Sequence, residues 1–313
     1  MVISMHEGII HTIAYLSDGR VVTGSSDGSV KVYNLKNRRE EGTMKHEGNV
    51  YSCAVTRDGT KIIIGSAGEN LCSSKINMWD VESHELVKQW IQLHDGITIS
   101  PDSRLIAVGY YVSVAFYTTE WKRVDYAIKD VRSRINSICF SPDGKQLACG
   151  TFRGDVRVYD VKNGALLLDP LQGHRDLVCC ILWSPNGNRL FSASADKTIC
   201  CWNSDTGEQI GRPWTGHTDE IRSLSISPDG SIIASASMDR TVRFWDATTG
   251  YSVGQHLQHK TKLEVVCFSP CGKCVAAAGW DGKLYLWRLP SVESKVIPLI
   301  MHVTRVDAHQ SPL

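Results

Sequence analysis

The sequence has no long hydrophobic run and almost no excess of charge. No stretch among its 313 residues approaches the roughly 20 apolar residues of a membrane-spanning helix. The opening segment MVISMHEG lacks the basic start and apolar core of a secretory signal. The 34 Lys and Arg residues nearly balance 33 Asp and Glu residues, so no global field attracts nucleic acid or an acidic membrane. We therefore expect a cytoplasmic protein, and the sequence is also compatible with a nuclear one.

Complete metal-binding and nucleotide-binding motifs are missing as well. The one C-x-x-C spacing, from Cys271 to Cys274, has no second C-x-x-C or H-x-x-x-H to complete four ligands. The phosphate-binding loop G-x-x-x-x-G-K-[ST] occurs nowhere. The eleven cysteines are an odd number, and most of them lie in apolar, strand-like segments. We expect reduced thiols, no metal and no cofactor.

A turn motif related to Ser-Pro-Asp-Gly recurs seven times. Its third position falls at residues 18, 58, 102, 143, 186, 229 and 271, so successive copies are 40 to 44 residues apart. Around the sixth copy, strand patterns cover residues 221–226, 232–237 and 241–246, and a Thr249-Gly250 turn leads to a weaker fourth strand. Four short strands separated by turn residues predict one antiparallel sheet per repeat.

Seven such sheets arranged radially would protect the edges that an isolated sheet exposes. We predict an all-β fold, a seven-bladed β-propeller of four-stranded antiparallel blades over residues 1–289. Its repeats start near residues 6, 46, 90, 131, 173, 216 and 258. Two segments compete to supply the fourth strand of blade seven: residues 2–5, and residues 296–300 in the C-terminal tail 290–313. Pro298 would confine the second segment to a sheet edge. We favour the N-terminal segment.

Trp-Asp pairs near the end of the third strand identify a family resemblance. The pairs are Trp79-Asp80 and Trp245-Asp246, with the variants Trp202-Asn203 and Trp287-Arg288. Over residues 6–288 the chain resembles the WD-repeat β-propeller family, and its regular repeats five to seven are most similar to those of fungal WD-repeat proteins. The resemblance implies a propeller that holds other proteins.

The resemblance also implies a buried tetrad of His, Ser or Thr, Asp and Trp in each complete repeat. In repeats five to seven the matching His, Asp and Trp residues are His174, Asp196, Trp202, His217, Asp239, Trp245, His259, Asp281 and Trp287. The hydroxyl is Ser192 or Ser194 in repeat five and Ser235 or Ser237 in repeat six, whereas repeat seven has alanines at 276–278. The same trio copied around a ring indicates a structural network rather than a hydrolase triad.

Partner contacts in this family concentrate on the narrow top face, at two positions of each repeat. The first position gives an inner ring of His11, Tyr51, Asp95, Asn136, Cys179, Arg222 and Glu264. The second, just before the turn Asp, gives Ser26, Phe152, Ala195, Met238 and Trp280. Tight turns usually hold small or polar residues, and Trp280, Met238 and Phe152 are neither. Such side chains anchor protein interfaces when exposed; the alternative is that they pack inward on neighbouring turns.

An inserted loop at residues 68–75 of repeat two belongs to the same face, where it is either a binding element or a tolerated surface insertion. Together these features predict a non-enzymatic scaffold or adaptor that binds partner proteins or peptides, as a monomer or within a larger complex. The alternatives are a propeller that binds nucleic acid or phospholipid, and an enzyme. A nucleic-acid or phospholipid binder would need a basic stripe, which the sequence lacks. An enzyme would need an unrepeated nucleophile, base or metal cluster, and the sequence shows none.

Overall fold

The computed structural model describes residues 1–67, 74–91, 96–129 and 131–289. Their strands form seven antiparallel sheets. The first strand of each sheet contacts the first strand of the next, and the seventh sheet contacts the first in the same way, which closes a ring. The fold is a seven-bladed β-propeller, as predicted.

The first four blades each contain four strands. Blade one consists of β2 (Ile10–Tyr15), β3 (Val21–Ser25), β4 (Ser29–Asn34) and β5 (Arg39–Lys45). Blade two consists of β6 (Asn49–Val55), β7 (Lys61–Ala67), β8 (Lys75–Asp80) and β9 (Leu86–Ile91). Blade three consists of β10 (Gly96–Ile99), β11 (Leu105–Tyr110), β12 (Ser113–Thr118) and β13 (Arg123–Ile128). Blade four consists of β14 (Ile135–Phe140), β15 (Gln146–Thr151), β16 (Asp155–Asp160) and β17 (Leu171–Gln172).

Blade five is the one that departs from the four-stranded prediction. It has three strands, β18 (Val178–Trp183), β19 (Arg189–Ser194) and β20 (Ile199–Asn203), and its outer position is occupied only by isolated bridges from Gln209 and Trp214. Blade six consists of β21 (Ile221–Ile226), β22 (Ile232–Ser237), β23 (Thr241–Asp246) and β24 (Leu257–Gln258). The last blade contains β25 (Leu263–Phe268), β26 (Cys274–Gly279) and β27 (Lys283–Arg288).

The N-terminus completes the last blade. Strand β1 (Val2–Ser4) pairs antiparallel with β27, and Ile3 lies opposite Leu284. The Met1 amino group also donates a hydrogen bond to the carbonyl of Leu286 at 2.7 Å. The first and last repeats are therefore joined in one sheet, by the N-terminal segment that we favoured. Residues 296–300 lie outside the described residues.

The hydrophobic core lies between neighbouring blades rather than at the centre of the ring. Between blades six and seven, Val242 and Phe244 pack with Val266, Phe268 and Val275, all nearly or fully buried. Similar clusters occur between the other neighbouring blades. Because each blade buries its faces against two neighbours, the ring holds every turn at one end of the sheets in a fixed position.

Candidate functional site

Blades five and six contain closed networks of buried polar side chains. In blade six, His217 Nδ1 lies 2.7 Å from Asp239 Oδ2 and His217 Nε2 lies 2.7 Å from Ser235 Oγ. The indole Nε1 of Trp245 donates to the same oxygen at 2.8 Å. Blade five repeats the arrangement with the His174–Asp196, His174–Ser192 and Trp202–Ser192 pairs at 3.0, 2.8 and 2.9 Å.

Only one of the two candidate serines in each of these blades belongs to the network. Ser192 and Ser235 belong to the networks, whereas Ser194 and Ser237 donate to the backbone carbonyls of Asp176 and Asp219. The Ser235 side chain is fully buried and its oxygen is engaged by both a histidine and a tryptophan. A nucleophile has to reach a substrate, and the buried Ser235 hydroxyl cannot. The Ser, His and Asp residues of this network therefore stabilise the fold and do not form a hydrolase site.

Hydrogen bonding keeps the network aspartates ionised. Burial alone would raise the pKa of Asp239, but the His217 ring and the Thr241 hydroxyl outweigh burial and hold that pKa well below its usual range. An ionised Asp239 fixes the His217 proton on Nδ1, and Nε2 then accepts the Ser235 hydroxyl proton. The chain of donors and acceptors thus runs in one direction from the indole to the carboxylate.

Blade one contains a related network that sequence reasoning missed. His6 Nε2 lies 2.8 Å from Thr23 Oγ1, and its Nδ1 lies 2.8 Å from Ser29 Oγ and 3.3 Å from Asp27 Oδ2. Tyr33 occupies the position of the tryptophan, since it pairs with Val21 as Trp245 pairs with Ile233. The signal was present in the Ser-Asp-Gly-Ser run, which places Asp27 two residues before a hydroxyl, as Asp239 stands before Thr241.

Blade seven departs from the predicted tetrad. Ala277 stands where Ser235 stands in blade six, and the buried Nε2 of His259 has no hydrogen-bond partner. The Tyr285 hydroxyl instead donates to Asp281 Oδ2 at 2.5 Å. The edge of the His259 ring contacts Tyr285 and Trp287, with ring centroids 4.6 and 4.7 Å away. Without the hydroxyl, aromatic packing replaces the hydrogen-bonded chain.

Blade two also lacks the network hydroxyl, because a different residue occupies the serine position. Ile64 occupies the serine position, because it pairs with Asn77 as Ser235 pairs with Arg243. The Asn77 amide donates to His46 Nδ1 at 2.8 Å, but His46 Nε2 and Trp79 Nε1 are buried without partners. Burial, with a smaller contribution from the nearby Lys75 ammonium, lowers the pKa of His46 to about 4. Burial also lowers the pKa of His259 to about 4, against the attraction of Asp281.

The inner-ring residues are the extra residues of β-bulges. The register of the first strand shifts around His11, Tyr51, Asn136, Cys179, Arg222 and Glu264, in six of the seven blades. A classic bulge leaves one residue unpaired and re-aims its side chain, which gives these six positions a common direction. The seventh position, Asp95, lies outside the described residues.

Contacts connect the inner-ring side chains. Arg222 Nε lies 3.0 Å from Glu264 Oε2, and an Arg222 guanidinium nitrogen lies 3.9 Å from Cys179 Sγ. The rings of His11 and Tyr51 have centroids 4.9 Å apart. Burial lowers the pKa of His11 and Arg222 lowers it too, while Glu264 opposes them.

Asn136 is held differently from the rest of the ring, because its amide donates to the backbone carbonyls of Val178 and Cys179 in the next blade. The described inner-ring side chains therefore contact neighbouring blades through hydrogen bonds or ring contacts, and Tyr51 among them is 47% exposed.

Trp280 lies beside this layer, in the turn between β26 and β27. Its side chain is 49% exposed, and its Nε1 donates to Glu264 Oε1 at 2.8 Å. The Lys262 ammonium lies 5.2 Å from the centre of its ring. Glu264 thus holds Arg222 with one oxygen and Trp280 with the other. Met238, in the equivalent turn of blade six, is half-buried.

The remaining predicted turn residues differ in size and exposure. Ser26 is half-buried and Ala195 is buried, whereas Phe152 of blade four is 41% exposed. Sequence reasoning missed a neighbouring apolar turn in blade three, Tyr110–Val112, whose residues are 40 to 43% exposed. The irregular turn sequence of that repeat hid it. Residues 68–73 of the predicted insertion lie outside the described residues.

The described ranges contain ten cysteines, all of them free thiols, and no group of three potential metal ligands. Cys271 Sγ lies 3.4 Å from Ser269 Oγ in the turn before β26. Over the same ranges there is no helix of the length and apolarity needed to cross a membrane.

Comparison with known proteins agrees with the repeat geometry. The family described as "WD domain, G-beta repeat" matches residues 1–34, 166–203, 207–246 and 251–288. The "Anaphase-promoting complex subunit 4 WD40 domain" matches residues 97–184.

Among relatives, Autophagy-related protein 16 of Arabidopsis thaliana is 28% identical over 190 residues, which cover 57% of this chain and 35% of that protein. Protein tipD of Dictyostelium discoideum is 26% identical over 191 residues, 56% of this chain and 30% of that protein. Human protein NEDD1 is 27% identical over 128 residues, 39% of this chain and 19% of that protein. The matched part therefore spans about a third of the first two relatives. These matches do not confirm the finer resemblance to fungal proteins. The chain belongs to the WD-repeat family of β-propellers.

Proposed function

We propose that this propeller is a protein-interaction scaffold that binds partner proteins or peptides on its top face, with Trp280 as the principal anchor. The proposal rests on the exposure and the contacts of the Trp280 side chain. Half of its surface is exposed, yet Glu264 fixes its indole N–H and the Lys262 ammonium lies over its ring. An indole held in this way loses little rotamer freedom when a partner covers it.

The expected binding energy is concentrated in few residues. Tryptophan and arginine are enriched among residues whose truncation costs about 2 kcal/mol or more of binding free energy. Arg222 shares the Glu264 carboxylate with Trp280, and Tyr51, 47% exposed, contacts His11 on the same layer. The partner would therefore contact Trp280 and Met238 at the turns and reach the inner ring at Arg222 and Tyr51.

One matched family model is named for a subunit of a larger complex. We extend that feature to this chain and propose that it too works within an assembly. The matched part is only a fraction of the relatives' length, so their complete activities are not transferred.

The test is affinity purification of the tagged full chain, followed by mass spectrometry. We expect the double variant Trp280→Ala with Met238→Ala to lose the wild-type partners. The matched control is Leu166→Ala with Leu167→Ala, because these two leucines are 43% and 42% exposed at the outer edge of blade four. Control losses equal to those of the top-face variant would contradict the proposal.

Thermal unfolding of both variants completes the experiment. We expect the thermal midpoint of the Trp280 and Met238 variant to stay close to that of the control variant. Retention of every partner, or loss of partners only through unfolding, would show that Trp280 is a packing residue.

A further inference from the structure

A second surface on the top face has a different chemistry. It combines apolar and cationic side chains from the turns of blades three and four and the loop that enters blade five, and we call it the arginine–aromatic patch. Its residues are Tyr110, Tyr111, Val112, Phe152, Arg153 and Arg175. We propose that this patch binds an acidic peptide segment that also carries aromatic or large aliphatic side chains. The turns of Tyr111 and Phe152 lie three blades from the turn of Trp280 around the ring, and the loop of Arg175 lies two blades from it, so the patch is a site beyond the proposed function.

Backbone hydrogen bonds hold the contributing segments side by side. The Ile135 amide donates to the carbonyl of Tyr111 at 2.7 Å, and the Phe152 amide donates to the carbonyl of Arg134 at 2.9 Å. A Cβ added at Gly154 would lie 2.8 Å from the carbonyl oxygens of His174 and Asp176, which places the loop of Arg175 against the blade-four turn. The segments therefore form one continuous surface.

The apolar part of the patch is exposed and ordered by an arginine. Tyr111 and Phe152 are 43% and 41% exposed. The Arg134 guanidinium lies 5.6 Å from the ring centre of Tyr111 and 4.9 Å from that of Phe152. One cation thus lies over aromatic rings from two blades, and such contacts contribute about 0.5–1 kcal/mol each at exposed sites. Exposed aromatic groups held together in this way form a preorganised contact surface.

The backbone of Tyr111 adopts a conformation that is unusual for a bulky residue. The turn between β11 and β12 has two central residues, Tyr111 and Val112, because Tyr110 pairs with Ser113. Tyr111 has φ 46°, a conformation that favours glycine in two-residue hairpin turns. A bulky side chain in that region is unfavourable for folding. An exposed tyrosine thus stands where the backbone conformation favours glycine, with its ring held by Tyr110 and Arg134.

The charge of the patch selects the class of partner. The described residues 110–113, 129, 131–134, 152–154 and 174–177 include five Lys and Arg residues and one Asp residue, in a chain whose net charge is only +1. Arg153 and Arg175 are exposed, and neither forms an ion pair with any described residue. Arginine binds carboxylates with two parallel hydrogen bonds, so acidic side chains of a peptide complement the patch.

A peptide suits the geometry better than a nucleic acid does. Single-stranded nucleic acids stack successive bases on open aromatic faces along a basic groove. Here the Arg134 guanidinium covers one face of both rings, and the cations occupy neighbouring turns instead of a long stripe. The exposed ring edges can instead contact apolar side chains of a peptide, and the neighbouring arginines can bind acidic side chains of the same peptide.

The experiment selects a phage-displayed library of random peptides on the immobilised full chain and then measures binding of the enriched peptides by fluorescence anisotropy. The patch variant is Phe152→Ser with Arg153→Asp. These substitutions introduce the residue types of Ser26 and Asp27, which stand at the equivalent turn of blade one. We expect enriched peptides with a net negative charge and aromatic or leucine residues, and at least about tenfold weaker binding to the patch variant.

Two further variants keep the test informative. Tyr111→Gly removes the ring and relieves the positive φ, so we expect weaker peptide binding with an unchanged or higher thermal midpoint. Trp280→Ala should leave the binding of these peptides within about twofold of wild type, because independent sites do not couple. This arm separates the patch from the Trp280 site, and either proposal can fail alone.

Defined outcomes would overturn the proposal. They are enrichment of neutral or basic peptides, binding that the patch variant does not weaken, and equal binding when asparagine replaces every aspartate of the peptide. Poly(U) RNA or phosphatidylserine vesicles that bind more tightly than the peptides, with the same sensitivity to Phe152→Ser and Arg153→Asp, would reassign the patch to nucleic acid or lipid.

Discussion

Blades five and six differ from blades four and seven in both their buried networks and their top-face turns. Blades five and six close a His–Ser–Trp network, and the turn residues Ala195 and Met238 are buried or half-buried. Blade seven lacks the hydroxyl and presents Trp280. In blade four, Arg153 replaces the network aspartate and the turn presents Phe152, while Asp155, two residues later, pairs with Arg157 at 2.7 Å.

The comparison separates residues that stabilise the ring from residues that are available for binding. In the sequence, repeats five and six contain all the residue types of a tetrad, whereas repeat seven has alanines at 276–278. Blade seven does not close its tetrad, since Ala277 supplies no hydroxyl. Trp280 is fixed by Glu264 of the inner ring instead. The inner ring can thus position a binding side chain in a blade that lacks a complete His–Ser–Trp network.

The largest effect that we expect is acid destabilisation through the open blades. The pKa values of His46 and His259 are lowered to about 4, whereas the unfolded value is about 6.5. Between these values the unfolded chain binds more protons, so stability falls as pH decreases from about 6.5 toward 4, by on the order of 2 kcal/mol per histidine at pH 5. The lowered aspartate pKa values act only below about pH 4.

Urea unfolding at pH 7 and pH 5 checks this prediction. His259→Gln should reduce the difference in unfolding free energy between the two pH values by on the order of 2 kcal/mol, which is the contribution of this histidine. Equal stability of the wild-type chain at both pH values would contradict the assignment.

The next effect breaks a closed blade. We expect His217→Ala and Asp239→Ala each to lower the free energy of unfolding by about 1–3 kcal/mol, because each leaves a buried partner unsatisfied. The double variant should be clearly less destabilised than the sum, since both residues belong to one network. Arg153→Ala, at the equivalent position of blade four, serves as the near-neutral control. Strictly additive losses at 217 and 239 would argue against a shared network.

The smallest effect repairs an open blade. Ala277→Ser places a hydroxyl at the position of Ser235, where it can satisfy the buried Nε2 of His259. We expect a gain of about 0.5–1.5 kcal/mol in the free energy of unfolding. Ala276→Ser, one residue away on the opposite face of β26, is the matched control and should destabilise. A gain that persists in a His259→Phe background would show that the hydroxyl does not act through the histidine.

Repetition and residue type were sufficient to predict the propeller, and they indicated the His, Asp and Trp residues whose side chains meet in blades five and six. Two kinds of information were out of reach. The choice of Ser235 over Ser237 depends on strand register, because both are buried residues of β22 with side chains on the same face. The patch at Tyr111 depends on contacts between turns of neighbouring blades, and a spacing rule for one repeat does not describe such contacts.

Blade seven shows the same limit for a predicted site residue. His259, Asp281 and Trp287 stand at the expected spacing in its sequence. In the structure, however, the Asp281 carboxylate accepts a hydrogen bond from the Tyr285 hydroxyl. Spacing therefore identified the candidates, and only the side-chain geometry showed which of them bond to each other.

The most direct test of the account is amide hydrogen exchange of the full chain, free and bound to a partner captured by the wild-type protein. We predict slower exchange on binding in the top-face turn around Trp280, at residues 279–282, and in the inner-ring bulges at Arg222 and Glu264. The Ser-Pro-Asp-Gly turns at the opposite ends of the sheets, such as residues 227–230, should exchange at the same rate in both states. Protection confined to those turns or to the outer strands would contradict the claim that the top face is the binding surface.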